Sequence, residues 1–243
     1  MAVTPIPIVA LDVPDEDRAL SMVRQLGDSC AFYKVGSELF TACGPSIVEV
    51  LRNDGKRVFL DLKFHDIPNT VRSAARSAAT CGASLLTVHA IGGREMIAAA
   101  AEGAGEGCRV LAVTVLTSLD AAALSKSIGQ PVGSIPDEVS RLAALAAESG
   151  AHGVVCSGHE AARVRSERGN RLAILVPGIR LKGDEAHDQS RVVTPSDAAR
   201  AGATYLVLGR TVTAAPEPVE AMRMVQAELG RQSMGSDSID PDH

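Results

Sequence analysis

The 243-residue chain contains no Trp and only two Tyr and four Phe. Proteins that bind single-stranded nucleic acid stack bases on aromatic side chains, so this composition disfavours that class. The net charge of −5 likewise provides no broad positive surface for a phosphate backbone. We therefore expect no nucleic-acid partner, and any anionic ligand must be bound in a local positive pocket.

The sequence also has little that would indicate export or membrane insertion. No run approaches the roughly 18 apolar residues of a transmembrane helix, and the first ten residues lack the pattern of a signal peptide. The five cysteines form no C-x-x-C pair and no Cys/His cluster, which is typical of reduced thiols. These absences predict a cytoplasmic protein with no membrane partner and no metal site.

Short apolar runs, each followed by an Ala-rich stretch with helical spacing, recur eight times along the chain. The predicted strands are Ile6–Asp12, Ala31–Val35, Arg57–Leu62, Ser84–Val88, Arg109–Leu116, His152–Cys156, Arg171–Val176 and Thr204–Leu208. Their apolar character is nearly continuous, as in parallel strands that are covered on both faces. Eight strand–helix units predict an α/β protein with a closed (β/α)8 TIM barrel.

An open, doubly wound sheet is the alternative fold, but the chain after the first predicted strand lacks a G-x-G-x-x-G motif. The repeats leave no segment large enough for a second domain, so residues 1–229 are predicted to form one barrel domain. Residues 230–243 are polar and rich in Ser and Asp, and they are predicted to form a disordered tail.

Charged residues are concentrated where the first three predicted strands end. Asp12 and Lys34 lie at the ends of the first two strands, and Asp61, Lys63 and Asp66 lie at or after the end of the third. Active sites of such barrels lie at the C-terminal ends of the strands. Asp61 and Lys63 are two residues apart, so an extended backbone would direct both side chains into the barrel mouth. This pattern predicts either catalytic charges or a structural ion-pair network.

Glycine and arginine follow the last two predicted strands. Gly178 and Arg180 follow the seventh strand, and Gly209 and Arg210 follow the eighth. Barrels often bind phosphate with these two loops, and a guanidinium group can donate two hydrogen bonds to phosphate oxygens. Either arginine alone would be interpreted as a solvated loop residue, but the two together favour a phosphate site. The long polar loop over residues 181–191 is predicted to close over a ligand.

Seven motifs occur in the order and spacing of one known family. They are ALD, KVG, FLDLKFHDIPNT, TVLTS, VPGIR, DQSR and LGR. In these motifs the chain resembles the orotidine 5'-phosphate decarboxylase family from its N-terminal region to about Leu229. The resemblance implies decarboxylation of orotidine 5'-monophosphate (OMP) to UMP and CO2, in pyrimidine biosynthesis, with no cofactor and no metal.

The resemblance also implies the catalytic residues. Lys63 would donate a proton to C6 of the pyrimidine, within an alternating charged array. The members of this array would be Lys34, Asp61, Lys63 and Asp66. Asp61 would in addition crowd the departing carboxylate of the substrate. His65 and His89, by contrast, are interpreted as structural residues.

The same resemblance implies the substrate contacts and the oligomeric state. Asp12 and Lys34 would contact the ribose, and the pyrimidine would lie under Thr117 and Ser118. The phosphate would be bound by Arg180, Gln189, Gly209 and Arg210. The family forms homodimers, in which Asp66 and Thr70 would reach the site of the neighbouring subunit.

Two alternative functions remain open at this stage. 3-Keto-gulonate-6-phosphate decarboxylase and hexulose-phosphate synthase share the D-x-K-x-x-D motif, but they use Mg2+ and have an acidic residue where this chain has Lys34. A lysine at that position disfavours a divalent cation by charge repulsion. The other alternative is a phosphate-binding barrel without activity. Such a protein would gain little from acidic residues beside an anionic ligand.

Overall fold

The structure, a computed structural model, describes residues 4–181 and 192–234. Eight parallel strands pair in sequence order, and β8 pairs with β1 to close the sheet. The strands are β1 (Ile6–Ala10), β2 (Phe32–Gly36), β3 (Arg57–Phe64), β4 (Leu85–His89), β5 (Arg109–Val113), β6 (Gly153–Val155), β7 (Ala173–Val176) and β8 (Tyr205–Leu208). The predicted (β/α)8 barrel is confirmed. The alternative, an open sheet, is wrong because β1 and β8, which would be strands of such a sheet, pair with each other.

Helices connect the strands and surround the barrel. In the described residues they are α1 (Glu16–Leu26), α2 (Ser37–Cys43), α3 (Ser46–Asn53), α4 (Pro68–Cys81), α5 (Gly93–Ala104), α6 (Ala121–Ile128), α7 (Ile135–Glu148), α8 (Gly158–Arg168), α9 (Pro195–Arg200), α10 (Arg210–Thr213) and α11 (Pro218–Met234). None of these helices is both long enough and apolar enough to cross a membrane.

Local sequence explains where several helices begin. The side chains of Asp15, Asp120 and Ser134 accept a hydrogen bond from a backbone N–H in the first turn of α1, α6 and α7. Pro68 occupies the first position of α4, where its fixed φ suits the helix and no N–H donor is required. These residues therefore determine where each loop ends and the following helix begins.

Alternation along the strands produces two apolar layers. One layer fills the barrel interior and includes Phe32, Phe59, Leu85, Leu111 and Tyr205. The residues that alternate with them pack outward against the helices and form the larger layer. The barrel interior is therefore packed in its lower part, and polar chemistry is confined to the mouth.

The observed elements differ from the predicted ones mainly at their ends. Strand β1 stops at Ala10 and β5 stops at Val113, although the apolar runs continue to buried residues such as Leu11 and Val115. These residues are apolar because they are buried. Burial alone does not make them part of a strand, so the apolar runs extend beyond the strand ends. Helices α2 and α6 were not predicted. Helix α11 ends at Met234, beyond the boundary predicted near Leu229.

Candidate active site

A cavity of about 460 Å3 opens at the C-terminal ends of the strands. Its charged lining residues are Asp12, Lys34, Asp61, Lys63, Arg180 and Arg210. Apolar residues such as Phe59, Val155 and Val207 form other parts of its wall. The cavity thus combines a few convergent charges with apolar walls, as is usual for small-molecule sites.

Four of these residues form a chain of ion pairs with alternating sign, which we call the charged chain: Asp12, Lys34, Asp61 and Lys63. The Nζ atom of Lys34 lies 2.6 Å from Oδ1 of Asp12 and 3.9 Å from Oδ2 of Asp61. The Nζ atom of Lys63 lies 2.9 Å from Oδ1 of Asp61. Only 10% of the Lys34 side chain and 14% of the Asp61 side chain are exposed. Charges buried to this degree need such partners, since removing them from water is costly.

Gly36 provides the space in which Lys34 meets Asp12. A Cβ atom at this position would lie 2.9 Å from Nζ of Lys34 and 3.1 Å from Oδ1 of Asp12. Because the backbone φ of Gly36 is an ordinary −93°, the requirement is for space and not for an unusual conformation. The glycine of the KVG motif is therefore explained by the ion pair beside it.

The backbone of β3 is irregular where it carries the catalytic candidates. β3 advances from Leu60 to Phe64 while the paired strand β4 advances only from Leu86 to Val88, so the register shifts between them. Within this segment Lys63 has a φ of 51°, in the left-handed region that L-residues avoid at a cost of roughly 1–2 kcal/mol. Both side chains line the cavity, but the extended backbone predicted at Lys63 is not observed. An irregular strand brings the two side chains together.

Thr87, on β4, contacts both Asp61 and Lys63. It is not among the site residues that the sequence predicts. Its hydroxyl accepts a hydrogen bond from the backbone N–H of Lys63 at 3.0 Å and donates one to Oδ1 of Asp61 at 2.8 Å. The residue is completely buried. A polar residue in the apolar run between Leu85 and His89, on the inward face, is the signal that could have identified it.

Glycine and arginine after β7 and β8 line the same cavity, as predicted. Arg180 is buried, and its Nη1 donates a hydrogen bond to the backbone oxygen of Ile179 at 2.9 Å. The backbone N–H of Arg180 also donates to the oxygen of Val193 at 3.0 Å. This contact joins the two sides of the loop over residues 182–191, which lies outside the described residues. Gln189, the remaining phosphate candidate, belongs to that loop.

Three predicted site residues lie outside the cavity of their own chain. Asp66, Thr70 and Ser118 are exposed and do not belong to its lining, whereas Thr117 does. The carboxylate of Asp66 accepts a hydrogen bond from the backbone N–H of Ile67 at 2.6 Å. The charged array predicted from Lys34, Asp61, Lys63 and Asp66 is thus present within one chain without Asp66, and Asp12 occupies its other end.

The two histidines near the mouth contact each other. The ring centroids of His65 and His89 are 5.6 Å apart. Burial lowers the pKa of His89 below its usual value, and the charges of His65 and Lys63 add to this effect, while Asp61 opposes it. Neither ring lines the cavity. This placement agrees with their interpretation as structural residues.

The carboxylates of the charged chain are poorly arranged for a divalent cation. Asp12 and Asp61 both direct an oxygen toward the Nζ atom of Lys34, which occupies the position that a bridging cation would need. Among residues 4–181 and 192–234, no group of three or more His, Cys, Asp or Glu side chains could hold a metal ion. The two lysines and two arginines of the cavity provide the positive charge that an organic anion requires.

Comparison with known proteins identifies close relatives along most of the chain. The chain is 53% identical over 220 residues to orotidine 5'-phosphate decarboxylase of Anaeromyxobacter sp. (strain K), covering 90% of this chain and 96% of that protein. It is 49% identical over 225 residues to the protein of the same name from Nitrosococcus oceani, covering 91% of this chain and 96% of the relative.

The fold and the family model agree with these sequence relationships. The crystal structure of orotidine 5'-phosphate decarboxylase from Lactobacillus acidophilus is 35% identical and superposes with a TM-score of 0.83, covering 93% of this chain and 99% of that one. Residues 5–225 match the model of the orotidine 5'-phosphate decarboxylase / HUMPS family. With more than half of its length matched and relatives close to 50% identical, the chain belongs to this family.

Proposed function

We propose that the protein decarboxylates OMP to UMP and CO2, in the biosynthesis of pyrimidines. The observation that carries the proposal is the Lys63 amine, which lines a cavity that also contains two arginines and is paired with Asp61 at 2.9 Å. The names of the close relatives support the same reaction. All five cysteines are free thiols, which supports a cytoplasmic location.

Phosphate binding is assigned to the residues after β7 and β8. Arg180 and Arg210 line the cavity together with Gly178 and Gly209, where the guanidinium groups suit phosphate oxygens. Gln189 completes this set in the proposal. The ribose hydroxyls would lie against Asp12 and Lys34, and Thr117 would contact the pyrimidine.

The chemistry assigned to Lys63 is charge stabilisation followed by proton transfer. When the bond between C6 and the carboxyl carbon breaks, CO2 leaves and the electron pair remains on C6. A fixed ammonium group beside C6 stabilises this negative charge as it develops. The ammonium then donates its proton to C6, which gives UMP, and the neutral amine regains a proton from water. These reaction steps require no electron-accepting cofactor and no metal.

The acidic neighbours hold the amine in position. Asp61 lies 2.9 Å from the amine of Lys63, and Lys34 in turn pairs with Asp61 and Asp12. Asp61 would also repel the substrate carboxylate, and this repulsion would be relieved as CO2 departs. Binding energy from the distant phosphate offsets the cost of bringing these like charges together.

We propose further that the active form is a homodimer in which Asp66 and Thr70 complete the site of the neighbouring subunit. Both residues are exposed and outside the cavity of their own chain. Ile67 is 68% exposed and Ile91 is 49% exposed, and these apolar side chains follow β3 and β4 on the same end of the barrel. An exposed apolar rim next to polar site residues is typical of a protein–protein contact.

A direct assay tests the proposed reaction. Purified protein should consume OMP, measured as an absorbance change, and should release one UMP and one CO2 for each OMP consumed. Activity should be equal with and without EDTA. Loss of all activity in EDTA would instead favour the Mg2+-dependent sugar-phosphate relatives. Binding of UMP without any turnover of OMP would favour a phosphate-binding barrel, and either result would contradict the proposal.

A further inference from the structure

Thr87 makes the only two side-chain hydrogen bonds found between β4 and the irregular segment of β3 in the described residues. One hydroxyl can donate one hydrogen bond and accept others, and here both capacities are used. The donor side of the hydroxyl is directed to Asp61, and the acceptor side receives the N–H of Lys63. The hydroxyl therefore contacts the carboxylate and the backbone of the two residues to which we assign the chemistry.

We propose that Thr87 is a positioning residue that fixes the Asp61–Lys63 pair in its reactive geometry. This inference rests on the proposed function and extends it to a residue that does not itself line the cavity. Thr87 acts through Asp61 and Lys63 and has no contact with the substrate in this assignment.

The first contribution of Thr87 is to the backbone of Lys63. A left-handed conformation is unfavourable for lysine and persists only when the surroundings enforce it. Within the segment of shifted register, the N–H of Lys63 donates to the hydroxyl of Thr87 at 3.0 Å. The direction in which the Lys63 side chain leaves the backbone thus depends on this hydrogen bond.

The second contribution is to the carboxylate of Asp61. Oδ1 of Asp61 receives the hydroxyl of Thr87 at 2.8 Å and the ammonium of Lys63 at 2.9 Å, while Oδ2 faces Lys34 at 3.9 Å. These partners approach from three different strands, so the carboxylate cannot rotate without losing at least one of them. Without the hydroxyl, Oδ1 would be held by the flexible Lys63 side chain alone.

The decisive variant is Thr87→Val, which keeps the β-branched shape and removes the hydroxyl. We expect kcat for OMP to fall roughly 10- to 100-fold, the range for loss of a buried hydrogen bond to a charged group. KM for OMP and the Kd of UMP should stay within about twofold, because the groups assigned to phosphate binding are not affected. Thr87→Ser retains the hydroxyl and should recover most of kcat.

Thr114→Val provides the matched control. Thr114 is also a buried threonine, directly after the neighbouring strand β5, but its hydroxyl donates to the backbone oxygen of Val155 at 2.8 Å and does not contact the charged chain. This variant should lose a similar amount of stability and keep the wild-type kcat. A purely structural role of buried threonine hydroxyls would affect both variants alike.

A crystal structure of Thr87→Val gives a readout that does not depend on activity. We expect Lys63 to leave the left-handed region or its Nζ to move away from Asp61. An unchanged Asp61–Lys63 geometry, or a kcat equal to that of the wild type, would overturn the inference about Thr87. The proposed function is judged separately, by whether the wild-type protein turns over OMP at all.

Discussion

At the scale of single residues, the site is a small set of charges that are stable only in combination. Lys34 and Asp61 are almost fully buried, and each has oppositely charged partners within 4.0 Å. A lysine amine between two carboxylates would lose much of its stabilisation if either carboxylate were removed. Each change in this group therefore affects the remaining charges as well as its own contacts.

Lys63→Ala should reduce turnover of OMP by on the order of 10³-fold or more, because the variant removes both the stabilising charge and the proton donor. The measurement is the steady-state rate, with circular dichroism to verify that the barrel is folded. Lys126→Ala changes an exposed lysine of α6 and should behave as the wild type. Substantial residual activity in Lys63→Ala would contradict the assigned role.

His152 is expected to make stability depend on pH, away from the active site. Burial lowers the pKa of His152, and the charge of Arg109 lowers it further. The folded protein therefore binds fewer protons than the unfolded chain near the unfolded pKa of about 6.5, so stability should fall as the pH falls from about 7.5 to 5.5. Burial also lowers the pKa of His89, so His89 should likewise make the folded protein less stable as the pH falls.

His152→Gln should make this decrease smaller. Urea unfolding at the two pH values measures it, and the wild type measured in parallel is the reference. The chosen range lies above the titration of Asp137 and Glu167, whose pKa values are lowered by hydrogen bonds and arginine partners. If His152→Gln lost as much stability as the wild type over this range, the pKa of His152 would not be the cause.

At the scale of secondary-structure elements, some helices pack so closely that there is no space between them for an added side-chain atom. Helices α4 and α5 approach so closely that a Cβ atom on Gly103 would lie 2.1 Å from the backbone oxygen of Arg72. A glycine inside a helix normally weakens it by about 1 kcal/mol relative to alanine. Here the absence of a side chain permits the contact between the two helices that follow β3 and β4.

Gly103→Ala should therefore destabilise the protein by about 1–3 kcal/mol despite the better helix propensity of alanine, since backbone atoms of α4 must move. Chemical denaturation at pH 7.5 measures the difference. Gly107→Ala is the control, because a Cβ at this position meets nothing within 4 Å, and its effect should stay within about 0.5 kcal/mol. A gain in stability for Gly103→Ala would show that α4 and α5 are not limited by this contact.

At the scale of the whole molecule, closure of the barrel assembles the cavity from segments far apart in the sequence. Asp12 follows β1 and Arg210 follows β8, and the pairing of these two strands places both residues around one mouth. Asp66 and Thr70, which follow β3, are exposed and do not line this mouth. The proposed homodimer would return them to a site, but to that of the other subunit.

Mixing two inactive variants tests this sharing. Lys63→Ala and Asp66→Ala subunits should together regain up to about a quarter of wild-type activity, because half of the randomly formed dimers would contain one intact site of two. Lys63→Ala mixed with Asp61→Ala is the matched control and should stay inactive, since Lys63 and Asp61 act within the same chain. No recovery in the first mixture, with heterodimers verified, would count against shared sites.

Local sequence patterns are sufficient to predict the order of the eight strands, their parallel arrangement and the accumulation of charge at their C-terminal ends. These features depend on local periodicity and composition, which a single chain displays directly. The same local patterns place Lys34, Asp61, Lys63, Arg180 and Arg210 near the mouth, and all five line the cavity. Family motifs then narrowed the chemistry expected there.

The contacts between these residues, by contrast, depend on how distant segments of the chain pack together. The left-handed backbone of Lys63, the role of Thr87 and the place of Asp12 beside Lys34 all depend on the register between neighbouring strands. Register is set by pairing and packing between segments that are distant in the sequence, so no local pattern within β3 could indicate it. For the same reason, no local pattern in the sequence indicates that Asp66 and Ser118 lie outside the cavity lining.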